Sequence, residues 1–433
     1  MLEVINSVLW AIATILIVYS GIYFTFKLKF IQFKFKDMIN SFKAKNDGDI
    51  TPFQSLMMVL GGRIGVGSIA GIALSISLGG IGTIFWIWLI GFISAANSFA
   101  ETILGIKYQE KDEENIYKGG PCYYLCKGLK EKKLSKIYAL IIIISQIGGF
   151  LSIQSNTITR SITTYIDINP LYVGLIISLI SFLIIIGGVK KISKFSSKLV
   201  PIMTLIYLIS ALIIVIININ QIPKIFINII KEAFNIKAFG FGIISNIIIG
   251  IQRGIFSNEA GLGTGAIASS IVNVKYSATQ GFIQMIGVYI TTFLVCTSTA
   301  VVILTSPVSL INNNINGIEI TQNAFIYHFG NFGNIIVVCS IILFAFSTIL
   351  SGYYDSESSL KYLIKTKKVH IILLKLISLI VIFISSFISS NILWNFVNIF
   401  TAILAIINIY AMMNLKDDVL FELRKYKKTD KMK

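Results

Sequence analysis

The chain has 433 residues, 55% of them hydrophobic and 13% charged, where a soluble domain carries roughly a quarter charged residues. Apolar runs near the ~20 residues that cross a bilayer as a helix recur along the whole length, so most of the chain lies in lipid. The net charge of +17 sits in short basic blocks between those runs, without an aromatic-basic face or a nucleic-acid motif. That pattern excludes a nucleic-acid partner and marks topology, because positively charged loops stay in the cytoplasm.

The first run, 5–26, has no basic residue before it and KLKFIQFKFKD after it. It reads as an uncleaved helix with its N-terminus outside. Ten further spans are expected at 52–79, 82–106, 137–163, 171–188, 199–219, 239–272, 280–305, 333–354, 370–388 and 391–413, eleven in all. The segments this order places in the cytoplasm are 26–51, 107–136, 189–198, 273–279, 355–369 and the tail from 414, and they hold the basic clusters. The opposite loops are nearly free of Lys and Arg, apart from 221–238 with Lys224, Lys231 and Lys237. This asymmetry suits a multi-pass protein of a bacterial inner membrane with a cytoplasmic C-terminus. Stretch 221–238 has the helical alternation of an amphipathic surface segment. The Asn-rich loop 306–332 reads either as an external lid or as a connector. Cys122, Cys126, Cys296 and Cys339 read as ordinary small residues, since the first two share a loop expected in the reducing cytoplasm and no His lies near them.

Leaving the first span aside, the ten others form two units of five. The expected organisation is an N-terminal helix with its basic segment (1–50), a first five-helix unit (51–220), an external connector (221–238), a second five-helix unit (239–413) and a basic tail (414–433). The first helix of each unit is broken by glycines, GGRIGVGSIAG at 61–71 and GIQRGIFSNEAGLGTG at 250–265. An odd number of spans per unit inverts one relative to the other. Glycine-interrupted helices at matching positions of inverted halves point to a transporter binding site. Unpaired backbone deep in a bilayer is tolerated where it lines a polar cavity. Half-helix N-termini there favour a carboxylate, and free carbonyls at half-helix C-termini suit a sodium ion. Close helix packing through small residues is the alternative use of such glycines.

Beside the second break stand Arg253, Ser257, Asn258 and Glu259. Charges at that depth are expensive and usually functional; Arg253 and Glu259 read as a pair or as helix caps, in a gating or structural role. Ser347 and Thr348 supply hydroxyls that can ligate sodium or bond to their own helix. Glu101 reads as the solvated end of its span or a partner of Lys107. No phosphate-binding loop, zinc motif or nucleophile elbow occurs in the spans. The chain is therefore read as a gradient-driven transporter and not an enzyme. Against a channel stands the absence of a repeated filter loop or ring of like charge, and against a receptor the short basic tail.

The segments TPFQSL (51–56), GVGSIAG (65–71), FAE (99–101), GGPCYYL (119–125), QSN (154–156), RGIFSNEAGLG (253–263), QGFIQMIGV (280–288) and FSTIL (346–350) resemble the alanine or glycine:cation symporter family over about 51–412. The resemblance implies sodium-coupled uptake of a small neutral amino acid. It also implies an all-α polytopic fold of the LeuT-like (APC) kind, an inverted five-plus-five repeat similar to neurotransmitter:sodium symporters with one extra helix in front. By the same resemblance, Gly65, Val66, Gly67 and Ser68 would meet the substrate's carboxylate and amine, with Gln154, Ser155 and Asn156 nearby and Ser257 and Asn258 lining the second break. Sodium would be held by carbonyls of Gly61, Ile64 and Phe344 and the hydroxyls of Ser347 and Thr348. The chain departs from the family at Val66 and Ser68 (usually Thr and Asn), at Thr291 (usually Asp) and at Ser351–Gly352 (usually Gly-Trp). The lost indole implies a larger pocket, for which a larger or aromatic neutral amino acid is the alternative cargo. The change at Ser68 makes proton coupling the alternative to sodium.

Overall fold

The computed structural model describes residues 2–43, 46, 48–112, 115–234, 241–307, 317–365 and 367–430. The protein is a predominantly helical polytopic membrane protein, with a small antiparallel hairpin and an isolated Asn46–Val274 bridge among the described residues. The helices in order are α1 (Leu2–Lys27), α2 (Phe35–Ser41), α3 (Pro52–Arg63), α4 (Ala70–Gly79), α5 (Thr83–Lys107), the hairpin strands β1 (Glu110–Lys111) and β2 (Tyr117–Lys118), α6 (Pro121–Tyr123), α7 (Lys132–Ile143), α8 (Ser152–Thr163), α9 (Pro170–Ile185) and α10 (Gly188–Ile217). They continue with α11 (Ile222–Ala233), α12 (Phe241–Asn258), α13 (Thr264–Ser269), α14 (Ser277–Tyr289), α15 (Thr297–Leu304), α16 (Gly317–Phe329), α17 (Asn331–Leu363), α18 (Lys368–Ser385), α19 (Ser390–Asn414) and α20 (Lys416–Asp430).

Among the described residues, eight helical stretches are long and apolar enough to cross a membrane, and α4 and α9 are shorter apolar helices. Three of the long elements are not uniform. Wide π-type turns at Ile144–Leu151 and Ile290–Cys296 join α7 to α8 and α14 to α15, and Pro201 lies inside α10. Such insertions gather at functional sites because they free a carbonyl and re-aim side chains.

Local chemistry explains where elements start and stop. Thr51 and Gln54 form a capping box with Pro52 at the first helical position of α3. Asn169 caps α9 in front of Pro170. The centre is built around α5, which packs on α1, α12 and α14, and around α17, which packs on α3, α8, α10 and α16. Outward faces of α9, α10 and α18 leave Leu179, Leu183, Ile209, Ile216, Leu373 and Ile380 exposed, the arrangement that places apolar side chains against lipid tails.

Two expectations about loops need correcting. The basic stretch 189–198 is not a loop but the opening turns of α10. Its apolar positions Ile192 and the small residues Ser193 and Ser196 are buried while the lysines point outward, a helical stripe that a charge count alone hides. Within 306–332, residues 308–316 lie outside the described residues, and the remainder forms α16 packed on α4 and α17. The amphipathic expectation for 221–238 is met by α11, which buries Ile225, Ile229 and Ala233; 235–238 lie outside the described residues.

Candidate functional site

The first glycine segment is a true interruption. Helix α3 ends at Arg63, Ile64 leaves the helical region at φ −85°, ψ 68°, and Gly65 is extended. A single tight turn at Val66–Ser68 then leads into α4. At this point α17 approaches. Ser347 Oγ donates to the Gly61 carbonyl at 3.0 Å and the Phe344 carbonyl at 2.8 Å. Thr348 Oγ1 lies 2.9 Å from the Gly61 carbonyl, 3.3 Å from that of Gly62 and 3.1 Å from that of Phe344. Four of the five residues expected to hold sodium thus converge; Ile64 closes α3 beside them, its N–H on the Leu60 carbonyl at 2.7 Å. The contact demands glycine: a Cβ on Gly65 would sit 2.5 Å from Thr348 Oγ1.

Gln154 reaches the same place from α8. Its Oε1 accepts the Val66 N–H at 3.1 Å, so the one break amide with a side-chain partner is held by a residue expected there. Its two neighbours are not. Ser155 Oγ donates to the Ile382 carbonyl, and Asn156 Nδ2 donates to the carbonyls of Ser385 and Ile388. A helix turns successive residues by about 100°, so only one of three consecutive side chains faces the break, and the other two tie α8 to α18.

The second interruption meets the first through hydroxyls. Ser257 Oγ stands 2.7 Å from Ser68 Oγ and 3.1 Å from Cys296 Sγ. Thr299 Oγ1 donates to the Ser68 carbonyl at 2.9 Å. Beyond Ser257 the backbone passes through positive φ at Glu259 (52°), Gly261 (92°) and Gly263 (88°) before α13 starts. Asn258 Oδ1 takes the Ala260 N–H at 3.0 Å while its Nδ2 lies 3.4 Å from Ser94 Oγ and 3.3 Å from Thr292 Oγ1. Asn258 therefore closes the end of α12 and ties it to neighbouring helices.

Glu101 corrects the sequence expectation most clearly. It is fully buried, and its Oε2 accepts the N–H groups of Gly261 and Gly263 at 3.1 Å each and Asn408 Nδ2 at 3.0 Å. Lys107 pairs instead with Asp418 at 2.6 Å. The Arg63 guanidinium supplies the opposing charge to Glu101; it donates from Nη1 to the Gln284 carbonyl and from Nη2 to Ser98 Oγ, both at 2.9 Å. A side chain on Gly265 would collide with this pair, 2.8 Å from Arg63 Nη2 and 3.2 Å from Glu101 Oε1.

Arg253 and Glu259 do not pair. Glu259 Oε2 accepts from Thr264 Oγ1 at 2.6 Å, whereas the Arg253 guanidinium lies over the Trp394 ring, 4.6 Å from its centroid. Ser351 lies against the first break, its Oγ 3.0 Å from where Gly62 would carry a Cβ. Gly352 faces elsewhere. A Cβ there would lie 2.6 Å from Gln146 Oε1 and 2.8 Å from Leu151 Cδ1, so Gln146 and Leu151 stand directly beside this position and any side chain there requires them to shift. Thr291, where the resemblance expects an acid, bonds to its own helix at the Gly287 carbonyl.

A model of the sodium:alanine symporter family matches residues 1–433. The chain belongs to that family. It is 33% identical over 421 residues to the amino-acid carrier protein AlsT of Bacillus subtilis, covering 96% of this chain and 90% of the relative. It is 34% identical over 433 residues to the probable sodium/glutamine symporter GlnT of the same organism, at 98% and 90% coverage. With the sodium/alanine symporter AgcS of Methanococcus maripaludis it shares 31% identity over 443 residues, at 98% and 96%. Family membership makes the chain a transporter of the symport class.

Arg63, Asn408, Thr299 and Gln284 were not singled out by sequence reasoning as site residues. Two signals were present for Glu101: an acid in an apolar stretch, and the FAE triplet itself. The nearby Lys107 obscured both, because proximity in sequence suggested a pairing that the helix geometry does not make.

Proposed function

We propose that the chain is a sodium-coupled symporter of a small neutral amino acid of the alanine or glycine class. It would run the inverted five-plus-five LeuT-like fold, 51–220 and 239–413 with one helix in front, as eleven spans with the basic segments in the cytoplasm of a bacterium. The observation that carries this is the oxygen cluster at the first break: two hydroxyls of α17 on carbonyls of α3 and α17. An uncharged all-oxygen set suits a hard monovalent cation. To bind one, Ser347 and Thr348 turn their hydroxyl protons away and offer lone pairs; the ion then bridges α3 and α17 in place of those hydrogen bonds. Because Gly65 packs against both Thr348 and Gln154, the cation fixes the position of the break where the amino acid binds.

The substrate carboxylate is placed on the break amides of Gly65–Ser68 and the start of α4, whose dipole favours an anion. Gln154 and Ser257 reach that turn by hydrogen bonds, Thr348 and Phe256 pack against Gly65 and Gly67, and Ser351 lies against Gly62. Ser155, Asn156 and Asn258 serve it by holding α8 and α12 in place, and Glu259 by holding α13. In support of the substrate class, one relative is named for alanine and another for glutamine.

Proteoliposomes with an inward sodium gradient are expected to accumulate labelled alanine. Uptake that is unchanged when choline replaces sodium would overturn the coupling. One observation favours a second reading, proton coupling: Asp355 Oδ1 is buried without a hydrogen-bond partner and feels the Glu259 charge. Uptake driven in choline medium by an imposed pH gradient, and lost in Asp355→Asn, would establish it.

A further inference from the structure

We infer that Arg253 is the first docking point for the carboxylate of the incoming amino acid, one helical turn outside the breaks; the inference rests on the transport reading above. Arg253 and Ser257 are four residues apart on α12 and share a face. Ser257 touches Ser68 of the first break, so the backbone of Arg253 stands about one 5.4 Å turn along α12 from the residue at which the interruptions meet. Both α12, before its break, and α4, after its break, lie on the side away from the basic clusters. That is the side from which uptake proceeds.

Arg253 is 7% exposed, and the Nε and Nη1 of its guanidinium are buried with no hydrogen-bond partner. Among the described residues no carboxylate lies within ion-pair distance of it. A buried charge in that condition is strongly unfavourable unless something pairs with it. The Trp394 face offsets part of the charge but cannot accept the N–H fork in its own plane. A planar fork of free N–H donors matches a carboxylate in geometry and charge. The nearest acid along the chain, Glu259, is committed to Thr264 and to the Arg63 charge.

Below the guanidinium lies an aromatic floor. Phe256 stacks on Phe150 with centroids 5.2 Å apart and touches Trp394 at 5.1 Å. A Cβ on Gly67 would lie 2.8 Å from the Phe256 ring, so Phe256 closes directly on the first break. Trp394 also approaches the start of α4, 3.9 Å from where Gly71 would carry a Cβ. Phe256, with Trp394 beside it, therefore stands between Arg253 and the first break. Displacing the Phe256 ring is the step that admits the amino acid, which leaves the guanidinium for the amides and lets the aromatic floor close behind it.

The test uses the full-length protein in proteoliposomes with sodium. It compares labelled alanine with alaninamide as competitor, which keeps the amine and methyl but lacks the carboxylate. Arg253→Gln is expected to raise the KM for alanine at least tenfold with the same sodium dependence, and to leave weak competition by alaninamide unchanged. Arg253→Lys, which keeps the charge but not the fork, is expected to fall between. A KM within twofold of the unmodified protein in Arg253→Gln overturns the inference. Equal weakening of alanine and alaninamide also overturns it, since that marks a packing role. Unmodified protein that takes up no neutral amino acid in sodium would overturn the transport reading itself, a result separable from either variant.

Discussion

The two interruptions use the same residue type for opposite ends. In the second, the chain supplies its own anion: the amides of Gly261 and Gly263 are satisfied by the buried carboxylate of Glu101, and Asn258 caps its own helix end. In the first, no charged side chain among the described residues hydrogen-bonds to the turn. Val66 has a neutral amide partner in Gln154, and the carbonyls before it meet hydroxyls that can turn away. On the transport reading proposed above, one break is a fixed scaffold and the other is left open for an anion and a cation brought from outside. Glycine makes irregular backbone possible, but the groups around it decide whether the backbone is finished by the protein or by a ligand.

The contrast fails if the second break tolerates loss of its carboxylate. Glu101→Ala leaves two buried amides and the Arg63 charge without their partner, a loss of about 3–5 kcal/mol. The expected outcome is a collapse of the melting midpoint in detergent, whether or not alanine and sodium are present. Glu101→Gln, which still offers one acceptor, is expected to be intermediate.

At the first break the expected signature is the reverse, function lost with the fold kept. Thr348→Val removes a hydroxyl from the oxygen cluster and should raise the half-saturating sodium concentration at least tenfold. Its stability without sodium should fall by no more than about 1 kcal/mol, the usual net value of a hydrogen bond. A large loss of stability in sodium-free buffer would mean that these hydroxyls serve the scaffold.

Gln154→Leu tests the boundary between the two behaviours. It orphans the Val66 N–H, a cost of about 1–3 kcal/mol, and should weaken alanine binding in titrations while leaving the sodium half-saturation close to normal. An equal shift in both would show that the amide partner and the cation cluster are one unit.

The smallest effect is expected away from both breaks, at the Lys107–Asp418 pair that Glu101 was expected to supply. Burial alone would push the Asp418 carboxyl up, but the contacts with Lys107 and Tyr108 outweigh it and hold the group below its ordinary value. The pair's contribution is therefore present above the ordinary carboxylate pKa near ~3.9 and fades as pH falls through the lower native value. For a half-exposed pair it amounts to less than about 1 kcal/mol. Asp418→Asn should lower the midpoint slightly at neutral pH and converge with the parent protein in acid.

Composition, hydropathy and the basic asymmetry were enough to identify the membrane class, most helix positions and both breaks, because lipid allows only backbone that is helical or specially satisfied. The family resemblance carried by FSTIL and the glycine segments, and not their spacing, pointed to the hydroxyl-carbonyl cluster of Gly61, Phe344, Ser347 and Thr348. What stayed hidden were relations between helices. Nothing along the chain says that Glu101 faces Gly261 and Gly263, that Ser155 and Asn156 turn towards α18, or that Gln146 and Leu151 occupy the room beside Gly352. Those contacts join residues up to hundreds of positions apart, and helix rotation and packing chose them. Arg253 shows the limit most plainly: its sequence neighbour Glu259 looked like its partner, and only the tertiary structure left its guanidinium buried over a ring with no anion.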